Sequence, residues 1–141
     1  MIGIVATAEI DIAATLDRVW ETLTQPAAVK QWMFGTELET DWHVGGPIVW
    51  KGEYAGKSYE DKGEVLEFDA PQHLSVSHFS PTTGQDDVPE NYHTVVYELA
   101  AVDGGTHVTL TQDNNGSDDE AQRSTENWQQ ALRGVKAHAE S

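Results

Sequence analysis

Two histidines on either side of a long polar stretch have the residue type and spacing best suited to chemistry. His78 has the same parity as Leu74 and Val76 along one predicted strand, and His93 has the same parity as Val95 along the next. Successive side chains of a strand point to opposite faces, so both histidines should point inward with their apolar neighbours. If the intervening hairpin pairs symmetrically, His78 lies opposite His93 in the sheet.

Such a pair of histidines suits three kinds of site, because imidazole titrates near physiological pH. The two rings could hydrogen-bond the polar head of a ligand, hold a metal ion together with a third ligand, or act as the acid and base of an enzyme. A structural role at the solvated rim of the sheet is the alternative. No third metal ligand is apparent in the sequence, so we predict neither a metal site nor a cofactor.

Aromatic residues supply most of the remaining candidate site. Trp50 and Tyr97 fall on predicted inner strand faces, and Trp128 falls in the last helix, where an indole can offer both a ring face and an N–H. Aromatic side chains are more often core than ligand cage, and this alternative also applies to Trp42 and Tyr54. The predicted ligand-binding residues are Trp32, Phe34, Trp50, Val76, His78, His93, Val95, Tyr97, Trp128 and Leu132.

Motifs of the common enzyme classes are missing from the sequence. It contains no G-x-S-x-G, H-E-x-x-H, G-x-x-x-x-G-K-[ST] or G-x-G-x-x-G. This argues against the common hydrolases and nucleotide-dependent enzymes. The acidic stretch 113–120 is only superficially similar to a calcium loop, because its glycine stands at the fourth position rather than the sixth. We interpret it as a solvated entry to the last helix.

The elements that must position these residues begin with a strand and two helices. Residues 2–12 are rich in β-forming residues, and apolar residues at helical spacing then predict an amphipathic helix at Leu16, Val19, Trp20 and Leu23. Pro26 suits the first turn of a second short helix. Strand-like alternation over 48–79 and 95–111 predicts a meander of about six antiparallel strands. The polar stretch 80–91 between them is long enough for a mobile flap.

The C-terminal segment gives the strongest helix signal in the chain. Its apolar stripe advances in steps of three and four residues through Ala121, Thr125, Trp128, Leu132, Val135 and Ala139. Ser117 and Glu120 form an S-x-x-E capping box, and Asp118 and Asp119 place negative charge at the positive end of the helix dipole. The sequence therefore specifies the beginning of this helix well.

Together these elements predict an α+β fold, with a curved antiparallel sheet of about six to seven strands wrapped around a long C-terminal helix and two short helices after the first strand. No internal repeat, linker or composition break divides the chain, so we expect residues 1–141 to form a single domain. A strongly curved sheet around one helix leaves a gap that large side chains or a ligand must fill.

The chain is strongly acidic, with 24 Asp and Glu against 8 Lys and Arg and a net charge of −16. Such a surface repels nucleic acid and anionic membranes, so neither is an expected partner. Self-repulsion is strongest at low ionic strength, and we hypothesise a high-salt source, with an ordinary acidic protein as the alternative. The lack of cysteine, of a positively charged leader and of a long apolar run predicts a cytoplasmic protein.

A series of short motifs between Ile10 and Lys136 resembles one known family in order and spacing. The motifs are Val19-Trp20-Glu21, Trp32, Val44-Gly45-Gly46, Gly63-Glu64-Val65, Asp69-Ala70-Pro71, Val95 to Leu99, Thr106 to Thr111, and Trp128 with Leu132. The chain resembles the activators of heat-shock-protein-ninety ATPase homologues, within the START-like (SRPBCC) helix-grip superfamily. It departs from the family pattern at Asn127, where glycine is usual. The resemblance implies a helix-grip fold with an internal cavity, in a superfamily of lipid, steroid, polyketide and plant-hormone binders with occasional cyclases.

Three functional hypotheses follow. The first, which we favour, is a non-enzymatic carrier or sensor that holds a small apolar molecule between the sheet and the last helix, gated by residues 80–91. The second is an enzyme of cyclase or hydratase type with His78 and His93 as its catalytic acid–base pair. The third is an interaction module with a chaperone or another protein as partner. Chaperone activation belongs to larger eukaryotic members with an additional N-terminal domain, so we expect this role less.

Overall fold

The computed structural model describes residues 1–141, apart from the side chain of Tyr54. Over this range the elements follow in the order β1 (Ile4–Ile12), α1 (Leu16–Thr24), α2 (Pro26–Trp32), β2 (Glu37–Glu39), β3 (Pro47–Tyr54), β4 (Lys57–Asp69), β5 (His73–His78), β6 (His93–Val102), β7 (Gly105–Asn115) and α3 (Asp118–Ala139). Two short 3-10 turns, Pro81–Thr83 and Pro89–Asn91, interrupt the connection between β5 and β6.

The strands form one antiparallel sheet in the order β1-β7-β6-β5-β4-β3-β2. The two short helices carry the chain from β1, at one edge, to β2, at the other. From β2 onward each strand pairs with the next one along the chain, as the alternating pattern and short turns predict. The predicted α+β helix-grip architecture is confirmed, with seven strands and the long helix α3 packed against the sheet.

Both ends of α3 are fixed by side chains. At its beginning the Ser117 hydroxyl accepts from the Glu120 N–H at 3.1 Å, which confirms Ser117 as the predicted N-cap, while the Glu120 carboxylate accepts from the N–H of Gly116, one residue before the cap. At its end the Arg18 guanidinium of α1 donates to the main-chain oxygens of His138 and Ala139, at 3.1 and 3.3 Å. These two hydrogen bonds at the last turn of α3 fasten it to α1.

The apolar stripe of α3 packs mainly on β1 and reaches β7. Its central side chains are fully buried in the same core as apolar side chains of those strands. Burying one such side chain stabilises the fold by about 1.5–3 kcal/mol. We call this region the filled half of the core, and define it by Ile12, Val108, Leu110, Leu132 and Val135.

Candidate ligand site

A cavity of about 190 Å³ lies on the other part of the inner sheet face. Strands β2 to β6 form one wall of the cavity. Residues of α1, α2 and the segment after α2 form the wall that faces the sheet. Among the described residues, β1 and β7 contribute nothing to this lining, and α3 contributes only Trp128. The cavity therefore lies beside α3 rather than beneath it, because α3 crosses the sheet over β1 and β7.

Seven of the ten ligand residues predicted from the sequence line this cavity: Trp32, Trp50, Val76, His78, Val95, Tyr97 and Trp128. Strand parity brings most of them together, since alternate residues of β5 and β6 face the same side of the sheet. The predicted pairing of the two histidines is also observed, because His78 lies directly opposite His93 in the β5–β6 ladder.

The other three predicted residues lie outside the cavity lining. Phe34 is 87% exposed, because it follows α2 with a left-handed φ of 54° that turns its side chain toward solvent. Leu132 is buried in the filled half, on the part of α3 that faces the strands rather than the cavity. His93 is half-buried, and its Nδ1 donates to the main-chain oxygen of Asp113 at 2.9 Å.

Two indoles of the lining also fasten α1. The Trp32 Nε1 donates to the main-chain oxygen of Thr22 at 2.8 Å, and the Trp42 Nε1 donates to that of Thr24 at 3.0 Å. These carbonyls belong to the last turn of α1, where no intrahelical donor follows. The polar edge of each indole is therefore satisfied by the helix end, and its apolar ring is free to line the cavity.

A carboxylate that sequence reasoning missed forms the polar part of the lining. The His78 Nε2 donates to Asp61 Oδ2 at 3.0 Å, and Asp61 has only 18% of its side chain exposed. The second oxygen, Oδ1, is buried and has no hydrogen-bond partner among the described residues. The pattern of β4 could have identified this carboxylate, because Asp61 has the same parity along the strand as Tyr59 and the fully buried Val65.

Gly63 allows the two strands that carry this pair to meet closely. A Cβ at Gly63 would lie 1.8 Å from the main-chain oxygen of Ser77, so only glycine lets β5 approach β4 at this point. Next to it, Lys62 and Phe79 exchange main-chain hydrogen bonds of 3.0 and 2.7 Å. This contact places His78 within reach of the carboxylate on β4, which the charged sequence of β4 did not suggest.

The two histidines themselves do not form one unit. Their ring centroids are 6.5 Å apart, whereas the His78 and Trp50 rings meet edge-on with centroids 5.1 Å apart. On the His93 side, Gln112 accepts a hydrogen bond from the Trp128 indole N–H. His78 thus belongs to the cavity with Asp61, whereas His93, at the beginning of β6, is bonded to the end of β7. Among the described side chains, no group of three His, Asp or Glu converges in a way that suits a metal ion.

Tyr97 supplies a second polar group to the cavity. Its ring meets the Trp128 ring edge-on, with centroids 6.3 Å apart and planes at 86°. Burial raises the pKa of the Tyr97 phenol, so the hydroxyl stays protonated and can donate or accept. No hydrogen bond reaches this hydroxyl from the residues that the structure describes, although Tyr97 lines the cavity.

Comparison with known proteins places this architecture in a family. The model of the family described as Activator of Hsp90 ATPase homolog 1-like protein matches residues 13–140. The chain belongs to this family. Membership is compatible with binding of a ligand or of another protein. No curated protein matches the sequence.

Solved structures agree with that assignment. The solution structure of ChR145 from Cytophaga hutchinsonii is 47% identical, with a TM-score of 0.85 over 96% of this chain and 93% of that one. The Aha1 dimer from Colwellia psychrerythraea is 19% identical, with a TM-score of 0.74 over 97% and 96%. CV1439 from Chromobacterium violaceum is 18% identical, with a TM-score of 0.78 over 97% of both chains. The last two likenesses show a shared fold.

The segment 80–92 lies against β4 at the side of the cavity in this family member. Lys62 forms an ion pair with Asp87, and the Tyr92 hydroxyl donates to the other Asp87 oxygen at 2.6 Å. Hydrogen bonding to Lys62 lowers the pKa of Asp87. The Tyr92 ring stacks on Phe79 with centroids 5.1 Å apart. These contacts fasten the segment to β4 and to the residue that follows β5, and we call residues 80–92 the latch.

Of the helices described, none combines the length and the apolar character that crossing a bilayer requires.

Proposed function

We propose that the protein binds a small apolar molecule in the cavity and acts as its carrier or sensor. The observation that carries this proposal is the cavity itself, about 190 Å³ in volume and walled by aromatic and aliphatic side chains with few polar groups. An apolar cavity of about 150 Å³ stays dry and binds benzene, so this one suits a single ring with a short substituent. Family membership is compatible with such a role.

The latch is the proposed gate. Asp61 and Tyr59 line the cavity and also border a surface depression that Ser80 and Thr82 of the latch help to form. Opening the latch would break the exposed Lys62–Asp87 pair, which contributes little stability on its own. We therefore expect Asp87→Asn to speed ligand entry and release more than it changes affinity, with stopped-flow binding as the measurement.

Native mass spectrometry of protein purified from its own host tests the function directly. A retained lipophile is the expected result, and the same molecule should raise the melting temperature. Val95→Phe should abolish retention, because the larger ring occupies the cavity that Val95 lines. Val102→Phe is the matched control, since Val102 is on the same strand but exposed. Failure to find any lipophile, together with no thermal stabilisation by apolar probes, would refute the proposal.

The host and its salt concentration matter for this experiment. Because the protein has a net charge of −16, we propose that it works in a salt-rich cytoplasm where counterions screen its self-repulsion. The melting temperature should then rise between about 0.05 M and about 2 M KCl, because the Debye length falls below about 10 Å. A melting temperature that does not change with KCl concentration would exclude the high-salt hypothesis and leave the proposed ligand binding unaffected.

A second candidate function is acid–base catalysis of the cyclase or hydratase type. The hydrogen bond between His78 and Asp61 favours it, because a carboxylate orients the imidazole ring of a general base. His93, the other half of the predicted catalytic pair, would act only indirectly from outside the cavity lining. Incubation of the retained molecule with wild type and His78→Ala discriminates the two functions. An enzyme yields a product that this variant loses, whereas a carrier yields none.

A further inference from the structure

One carboxylate oxygen in the cavity wall is fully buried and yet has no hydrogen-bond partner in the described part of the chain. Asp61 Oδ1 is buried without a hydrogen-bond partner among the described residues, and Oδ2 of the same carboxylate binds only His78. Buried polar atoms in native proteins are nearly always hydrogen-bonded, and an exception calls for a bound group or a function. A carboxylate is a strong acceptor, so the missing partner must be a donor.

The rest of the fold shows that this chain satisfies a buried carboxylate where the role is structural. Asp113 is 2% exposed, and its oxygens accept from the N–H groups of Ile2 and Thr94, at 2.9 and 2.5 Å. Asp113 thereby joins the N-terminal segment to β6. Asp61 joins no described residue through Oδ1, although it lines the apolar cavity.

We propose that Asp61 is the anchor for the ligand, and that the ligand is an apolar molecule carrying one hydroxyl group that donates to Asp61 Oδ1. This inference rests on the proposed ligand-binding function and adds the chemical class of the ligand. The hydrogen bond from His78 holds the carboxylate in one orientation. The Tyr97 hydroxyl, on β6, is the second polar group that the same ligand can meet.

A pair of matched probes tests the anchor. 4-Ethylphenol and 4-ethyltoluene have nearly the same shape, and they differ in having a hydroxyl or a methyl group at one end of the ring. The dissociation constants of both probes are measured by isothermal titration with wild type and with Asp61→Leu. The four values form a cycle in which differences in probe hydrophobicity cancel.

The preference of wild type for the phenol over the toluene should exceed that of Asp61→Leu by about tenfold or more, which corresponds to about 1.4 kcal/mol. Glu64→Leu is the matched control, because it removes the same charge from an exposed position on β4 and should leave the wild-type preference unchanged. An equal preference in wild type and Asp61→Leu overturns the anchor while leaving the cavity as a ligand site. Failure of both probes to bind wild type counts against the proposed function instead.

A measurement on wild type keeps the proposal testable if Asp61→Leu does not fold. The carboxyl carbon of Asp61 can be followed by NMR in uniformly ¹³C-labelled protein. We expect 4-ethylphenol to shift this resonance and 4-ethyltoluene to leave it nearly unchanged. Equal shifts from both probes, or none from either at saturation, would contradict a hydroxyl bond to Oδ1.

Discussion

The inner face of one sheet is used in two different ways. Over β1 and β7 it is covered by α3, and the filled half has no residue in the cavity lining. Over β3 to β6 the same face is covered by α2 and by isolated aromatic side chains, which leave about 190 Å³ empty. The comparison teaches that close packing and open space are separated along the sheet, strand by strand, in a chain of only 141 residues.

The polar groups follow the same division. At the end of β7, beside the filled half, Asp113 has two N–H donors, and the Asn115 amide donates to Ile4 and accepts from Ser124. In the part that holds the cavity, Asp61 has one oxygen without a partner among the residues that the structure describes. Natural proteins leave such groups unsatisfied where function requires it, at a cost in stability. Four predictions can break or sharpen this contrast.

Leu132→Ala should have the largest effect. Leu132 is 1% exposed in the filled half, so its truncation leaves a cavity that packed neighbours cannot close, and we expect a loss of about 2–5 kcal/mol in the free energy of unfolding. Urea denaturation measures it. Leu132→Met is the control, since this volume-conserving change should cost less than about 1.5 kcal/mol. A loss below about 1 kcal/mol for Leu132→Ala would mean that the filled half is not close-packed.

Asp113 and Asp61 should respond in different ways to the same substitution. Asp113→Leu leaves the N–H groups of Ile2 and Thr94 without acceptors, and each unsatisfied donor costs about 1–3 kcal/mol. Asp61→Leu removes one oxygen that lacks a partner among the described residues and one that accepts from His78, whose side chain is 29% exposed to water, so we expect a change within about 1 kcal/mol or a gain. Urea denaturation of both variants measures the difference. Equal losses would contradict the distinction between structural and functional carboxylates.

Adding one methylene group to a core valine should change stability differently in the two parts of the sheet. Val108→Leu overpacks a fully buried position of the filled half and should cost about 1–3 kcal/mol. Val95→Leu grows into the cavity, where space exists, and should change stability by less than about 0.5 kcal/mol. Both changes add the same atoms to valines on neighbouring strands. If Val95→Leu costs as much as Val108→Leu, the cavity is not open in solution.

The filled half could be predicted from sequence more fully than the site. The three-and-four spacing from Ala121 to Ala139 identifies the buried face of α3, including Leu132 and Val135, because helix burial is periodic. Strand parity likewise identifies Val108 and Leu110 on β7. These predictions succeed because the core follows local patterns that repeat along each element.

The polar part of the site depends on contacts between strands, which one strand's pattern does not contain. Asp61 stands in a charged stretch, and only the close approach at Gly63 brings His78 to it. Phe34 fails for another reason, because aromatic type alone predicts burial while a left-handed backbone at this turn directs the ring outward. The placement of α3 over β1 and β7 also escaped prediction, since the stripe shows which face is buried but not which strands it meets.

The smallest expected effect lies on the outer face of the filled half. His107 of β7 stands opposite Asp11 of β1, with Nδ1 and the Asp11 carboxylate 2.6 Å apart and Nε2 and the Glu9 carboxylate 3.2 Å apart. The hydrogen bond to Asp11, and then that to Glu9, raises the pKa of His107 above its ordinary 6.5. The folded state therefore binds the proton more tightly than the unfolded state does.

Because the folded pKa is the higher one, this stabilisation is complete below about pH 6.5 and is lost as the pH rises through the folded pKa. The free energy of unfolding of wild type should thus exceed that of His107→Gln most at about pH 5.5, with the difference shrinking toward about pH 9. Asp11→Asn should remove most of the pH dependence, which identifies the partner. High salt should reduce it as well, because the imidazole is a third exposed and its attraction to the two carboxylates is screened. If the stability difference between wild type and His107→Gln grows with pH, its pH dependence has the opposite sign. The ion pairs of His107 on the outer face of β1 and β7 then do not stabilise the fold.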